Sequence, residues 1–91
     1  MRIYKYPLEL RSGDQRVVMP IGRCIRAFQM QGDTPTIWAE VNAQAVADAM
    51  VIVRIVATGE EIPPGLIYQG TVQTRGGLVF HLYVKPWSEA A

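Results

Sequence analysis

The sequence predicts an all-β domain, a small antiparallel β-sandwich or barrel of six or seven short strands with at most one short helix. Three observations predict it. Apolar residues alternate with a two-residue period along several short runs. β-Branched and aromatic residues dominate those runs, and eight glycines and six prolines punctuate them. The chain has 91 residues, 49% of them hydrophobic and 19% charged, which is apolar enough to fold and too short for a second lobe. The expected organisation is one β domain over residues 1–86 and a tail over 87–91.

Each element follows from local pattern. Ile3 to Leu10 puts Tyr4, Tyr6, Leu8 and Leu10 on one face and Lys5, Pro7 and Glu9 on the other, the alternation of a half-buried strand. Pro7 has no N–H for a ladder, so this strand belongs at an edge. Arg11-Ser12-Gly13-Asp14 is rich in turn formers and ends it. Arg16 to Met19 is a short apolar run stopped by Pro20 and Gly22. Arg23 to Gln31 alternates Ile25, Ala27 and Gln29 against Cys24, Arg26, Phe28 and Met30, the mixed pattern of a strand covered partly on both faces. Gln31 to Pro35 reads as a turn and Thr36 to Val41 as the returning strand, with Ile37, Ala39 and Val41 opposite Trp38 and Glu40.

Asn42 to Met50 is the one stretch with helical spacing; Asn42 can cap it, and a short helix or a compact loop both fit. Val51 to Thr58 is β-branched almost throughout and reads as a central strand buried on both sides apart from Arg54. An acidic loop from Gly59 to Gly65, stiffened by two prolines, comes next. Leu66 to Gln73, a Thr74-Arg75-Gly76-Gly77 turn and Leu78 to Lys85 then form the clearest hairpin, because Gly-Gly supplies the positive φ such turns need. Pro86 ends the last strand and leaves Trp87 in the tail, where it can cover an open end of the same domain or meet a partner subunit. A domain this small buries about 60% of its unfolded surface, so copies of the chain are expected to associate as a homo-oligomer.

Nine Lys and Arg against eight Asp and Glu give a net charge of +1, so no global field draws nucleic acid, an unlikely partner, or a membrane. Any anion site must be local. Arg2, Arg11, Arg16, Arg23, Arg26, Arg54 and Arg75 outnumber Lys5 and Lys85, a bias that bidentate phosphate or carboxylate recognition favours and that compositional habit explains as well. Cys24 alone allows no internal disulfide, and Met1 to Pro7 lacks the apolar core of a signal peptide, so a cytoplasmic setting is expected. The longest apolar stretch, Ala43 to Ala57, is interrupted by Gln44, Asp48 and Arg54 and is too short to span a bilayer.

The residues disfavour an enzyme and give no catalytic group. Cys24 and His81 offer two of the four ligands that structural zinc needs, so neither metal nor cofactor is expected. Ser12 and Ser88 lie in a turn and the tail, outside any nucleophile elbow. A Cys24–His81 pair is conceivable, yet a lone apolar-flanked cysteine is usually a small core residue. Glu60 and Glu61 are neighbours on a solvated loop, and no phosphate-cradling glycine motif occurs. Two strand arginines remain. Arg54, inside Val51 to Val56, must meet a carboxylate, reach solvent or face an anion; Glu40 is its default partner. Arg26 poses the same question, and both arginines near Trp38 or Tyr68 would make a phosphate-and-base pocket.

Ile3-Tyr4-Lys5-Tyr6-Pro7-Leu8, Thr58-Gly59, Ile62-Pro63 with Gly65-Leu66, Tyr68 with Gly70-Thr71-Val72-Gln73, and Gly76-Gly77-Leu78-Val79-Phe80-His81 with Tyr83 resemble a widespread family of short bacteriophage and prophage proteins. The likeness covers nearly the whole chain, least distinctly from Val17 to Ala57. It implies a non-enzymatic anti-defence protein acting in the cytoplasm of the infected bacterium, similar to the oligomeric anti-CBASS sponges that sequester a cyclic-nucleotide immune signal. No binding motif of that class matches residue by residue.

A sponge needs arginines for phosphates and aromatic faces for bases, and the ligand-binding candidates are Arg26, Arg54, Trp38, Tyr68, Arg75 and His81. Ordinary packing is the competing role for each. The alternative function is a protein–protein interaction module that blocks a host protein or serves in the phage particle, with an exposed apolar patch around Trp87 and Tyr83.

Overall fold

The computed structural model describes residues 1–86, and Trp87 lies outside the described residues. Seven antiparallel strands form two sheets: β1 (Arg2–Pro7), β2 (Gly13–Pro20), β3 (Cys24–Gln31), β4 (Thr34–Val41), β5 (Asp48–Ala57), β6 (Ile67–Gln73) and β7 (Val79–Val84). One sheet has the order β1-β4-β3, the other β2-β5-β7-β6. Of the two predicted arrangements the chain thus adopts the sandwich, and no helix occurs among the described residues. Accordingly no described helix is long and apolar enough to cross a membrane.

The inner faces follow the predicted alternation where strands are regular. Ile37, Ala39 and Val41 from β4 meet Val51, Val53 and Ile55 from β5 and Leu82 and Val84 from β7, all in one buried cluster with Met19 and Phe28. β1 is the edge that Pro7 requires. The β3–β4 hairpin turns on Gly32 and Asp33, with Gly32 at φ 60°, the glycine-first pattern of a type II′ turn.

One open choice is decided and two predictions need correction. Of the short helix and the compact loop offered for Asn42 to Met50, the chain takes the loop over 42–47: Asn42 Oδ1 accepts from Gln44 N at 3.0 Å, a local bond that competes with helix formation. β5 consequently begins at Asp48, three residues before Val51, because Ala49 and Met50 pair with Met19 and Val18. In β3 the strict alternation fails. The register shifts between Ile25 and Ala27, leaving Arg26 as the extra residue of a β-bulge, so Ile25 and Phe28 both pack inward.

β2 begins at Gly13, earlier than its apolar run, and brings Gln15 into the interior. Gln15 Nε2 donates to Glu9 O at 2.7 Å, and Glu9 N donates to Gln15 Oε1 at 2.8 Å. This amide clamp holds the β1–β2 crossing between the sheets. Gln15→Leu removes both bonds at once and strands two backbone groups, so it is expected to destabilise the fold by about 1–3 kcal/mol. Urea unfolding reads the shift, and an unchanged midpoint would show the clamp to be dispensable.

On the far side, β3 and β6 pack against each other as the meeting edges of the two sheets. β6 also carries a bulge, between Tyr68 and Gly70. Gly70 faces Phe28 so closely that a Cβ on it would stand 3.2 Å from the Phe28 Cβ.

Candidate functional site

The six ligand candidates separate onto two outer sheet faces and one hairpin tip. Trp38 lies at the middle of the three-stranded sheet, opposite Lys5 on β1 and Ala27 on β3. The bulge turns Arg26 to this same outer face, where its Nη2 stands 3.4 Å from Glu40 Oε1. Glu40 is therefore the partner of Arg26, and the expected Arg54–Glu40 pair does not form. The Arg26 side chain is half exposed, and a pair of that kind is weak enough for the guanidinium to take a second acceptor. Lys5 donates from Nζ to Gln31 Oε1 at 3.0 Å. The result is an aromatic platform with a cation on either side and a single carboxylate.

The strand charges explain why this face is cationic in a nearly neutral chain. β1, β3 and β4 hold Arg2, Lys5 and Arg26 against Glu40; Lys5 and Arg26 share the outer face with Glu40, two cations to one carboxylate, while register sets Arg2 beside Val41 on the other side of the sheet. β2 and β5 hold Arg16 and Arg54 against Asp14 and Asp48, and β6 and β7 hold no carboxylate, Lys or Arg. The surplus of positive charge thus belongs to one layer.

The outer face of the four-stranded sheet gathers Arg54, Tyr68 and His81. Register sets Asp14, Arg54, Tyr83 and Tyr68 in one row across β2, β5, β7 and β6. Arg54 Nη1 donates to Asp14 Oδ1 at 3.0 Å, and Lys85 Nζ stands 3.9 Å from the other oxygen. The Tyr68 and Tyr83 rings meet edge to face, 5.6 Å apart at 66°.

In the next row His81 is bonded through both ring nitrogens, to Thr58 Oγ1 and to Thr71 Oγ1, each at 3.0 Å. Thr58 commits its hydroxyl proton to Val79 O, so it accepts from His81 Nε2–H; Nδ1 then accepts from Thr71, whose oxygen is hydrogen-bonded to Tyr68. The chain fixes the tautomer and the Tyr68 ring together.

The acidic loop after β5 folds over this face. Glu60 Oε1 accepts from Ala57 N and from Ser12 Oγ, both at 2.7 Å. The Ala57 N–H first, then the Ser12 hydroxyl and the Arg54 charge, hold the Glu60 carboxyl below its usual range. A carboxyl depressed in the folded state stabilises above the unfolded value and loses that stabilisation as pH falls through the folded one. Glu60→Gln is therefore expected to flatten the loss of thermal stability between neutral and acid pH. Identical melting-temperature profiles for both chains would refute the anchor. A groove of about 480 Å³ lies between the loop and the sheet, lined by Arg54, Glu60, Glu61 and Ile62 with Pro63 and Pro64.

Arg75 joins neither face. It sits on the β6–β7 turn with Nε 3.6 Å from Asp33 Oδ1 on the neighbouring hairpin, both side chains more than four-fifths exposed. Cys24 and His81 belong to different sheets. Among the described residues no three His, Cys, Asp or Glu side chains cluster as a metal site. Sequence reasoning missed Lys5, whose signal was its place opposite the tyrosines in β1; Tyr83, named from sequence for an interaction patch, shares the His81 face of β7.

Fold and site together define a small two-layer β domain with a cationic aromatic platform on one sheet and a mixed aromatic face on the other. A family model for a domain of unknown function, DUF7352, matches residues 1–91, and the chain belongs to that family. No curated protein and no solved structure matches the chain.

Proposed function

We propose that the protein is a non-enzymatic, phage-encoded anti-defence factor that binds and sequesters a cyclic-nucleotide signal in the cytoplasm of the infected bacterium. The observation that carries this reading is the platform: the β3 bulge sets Arg26 on the same face as Trp38, with Lys5 opposite the indole. A base stacks on Trp38, and phosphates take Arg26 and Lys5. Copies of the chain associate on this reading, since the Trp38 and Tyr68 faces point to opposite sides and a second subunit can bring one against the other.

Calorimetry with cyclic di- and trinucleotides tests it. Trp38→Ala and Arg26→Gln are each expected to weaken binding about tenfold or more. Heat from no cyclic oligonucleotide would sink the reading.

A second reading, a protein–protein interaction module, is favoured by the other face. Asp14, Glu60 and Glu61 surround Arg54 there and repel phosphate, while the half-exposed Tyr68 pairs with Tyr83 beside the loop. It requires a host partner that co-purifies with the chain, is lost on Tyr68→Ala, and ignores nucleotides.

A further inference from the structure

The two β-bulges lie on the two strands that meet at the sandwich edge, Arg26 on β3 and Gln69 on β6. Bulges bend strands apart and re-aim side chains, and they concentrate near binding sites. Between these two the layers part into a mouth of about 300 Å³. Its floor is apolar and comes from both sheets: Ile25 on one side, Val51, Val84 and Ile67 on the other. Ile67 belongs to the inward-facing side of β6 by register with Val84 and yet is 50% exposed, so the sandwich leaves this floor partly uncovered.

The rim has a distinct chemistry. Arg23 and Lys85 line it, and no carboxylate among the described residues does. Among the described residues the Lys85 ammonium meets Asp14 at 3.9 Å, and its long stem lets it turn toward the mouth. Gln69 supplies one amide, a paired donor and acceptor on an otherwise hydrocarbon wall. An apolar slot between layers, one amide edge and a cationic rim together suit a flat heterocycle that carries an anionic group. The volume is at the lower end of small-molecule sites.

We infer that this mouth is a second base subsite for the same ligand, an inference that rests on the cyclic-nucleotide reading. Arg26 is the hinge between the two subsites, since its neighbour Ile25 lines the mouth and its neighbour Ala27 opposes Trp38. One base stacks on Trp38 and the next enters the slot, where the Gln69 amide meets its hydrogen-bonding edge. Arg23 and Arg26 face the connecting phosphate. Gln69 is thereby the residue that selects the base.

Cys24, the single cysteine of the chain, is exposed and lines the mouth, so its alkylation rate reports occupancy. The experiment is thiol labelling of the full chain with and without a cyclic dinucleotide, at a concentration that calorimetry shows to be saturating. Bound ligand is expected to slow labelling about tenfold, and Ile67→Trp, which fills the slot from a half-exposed position, to weaken binding by a similar factor. Gln69→Leu is expected to level the preference between purine bases. Saturating ligand that leaves Cys24 labelling unchanged, with Ile67→Trp binding as tightly as the native chain, overturns the second subsite and leaves the Trp38 platform standing. Absence of any heat with the native chain overturns both.

Discussion

Leu82→Ala is expected to lower the stability of the domain by about 2–5 kcal/mol, the range for removing a buried leucine and leaving its cavity. Leu82 is 0% exposed, and its strand is central in the four-stranded sheet, so the vacated space has core on every side and little means of collapse. It opposes Ile55 on β5 and Gly70 on β6. The glycine contributes no side chain that could swing in to fill the void. A domain of this length has a total stability of about 5–13 kcal/mol, so a loss at the top of the expected range is more than a third of the largest of these values and as large as the smallest. Urea unfolding followed by tryptophan fluorescence measures the change, and a shift below about 0.5 kcal/mol, the scale of surface substitutions, would remove Leu82 from the core.

Gly70→Val comes next in size, at about 1–3 kcal/mol for forcing carbon atoms into packed space. The first added carbon already stands 3.2 Å from the Phe28 Cβ, and the two further methyl groups of valine have the Phe28 ring and carbonyl before them. Phe28 is buried and cannot turn to solvent. Relief therefore requires β3 and β6 to move apart. Combining the substitution with Phe28→Ala tests this cause: the paired change is expected to cost less than the sum of the two single changes, because the alanine removes what the valine strikes. Strict additivity would place the strain elsewhere. Separation of these strands would also widen the neighbouring mouth and speed Cys24 alkylation.

Most strands were legible because their chemistry is local. The alternation in Thr36 to Val41 and in Leu78 to Lys85 states which face is apolar, and the described structure buries Ile37, Ala39, Val41, Leu82 and Val84 accordingly. Pro7 states an edge, and β1 is one. In β2 and at the start of β5 a longer-range interaction overrode the local pattern. Asp48 to Met50 have no strand signal of their own; pairing with Val18 to Pro20 recruits them. Gln15 is polar and would be placed outside by composition, but the Glu9 backbone satisfies its amide inside.

The candidate site was legible residue by residue and not as an assembly. Arg26, Trp38, Arg54, Tyr68 and His81 could each be named from sequence, since a charge or a hydrogen-bonding aromatic inside a strand needs a reason. Their grouping could not. The bulge at Arg26 and the strand orders separate Arg26 and Trp38 from Arg54, Tyr68 and His81 by the thickness of the core. Arg54 pairs with Asp14 forty positions away, and Glu40, equally available to sequence reasoning, goes to Arg26.

The sequence by itself determined that this chain is an all-β domain with a near-neutral surface, because period-two patterning, turn residues and charge count are properties of neighbours along the chain. Only the tertiary structure decided that the small positive surplus lies in one layer, that two bulges meet at one edge, and which arginine faces which carboxylate. Those are consequences of sheet order and register, which depend on residues far apart in sequence meeting across a shared core, and no local pattern encodes them.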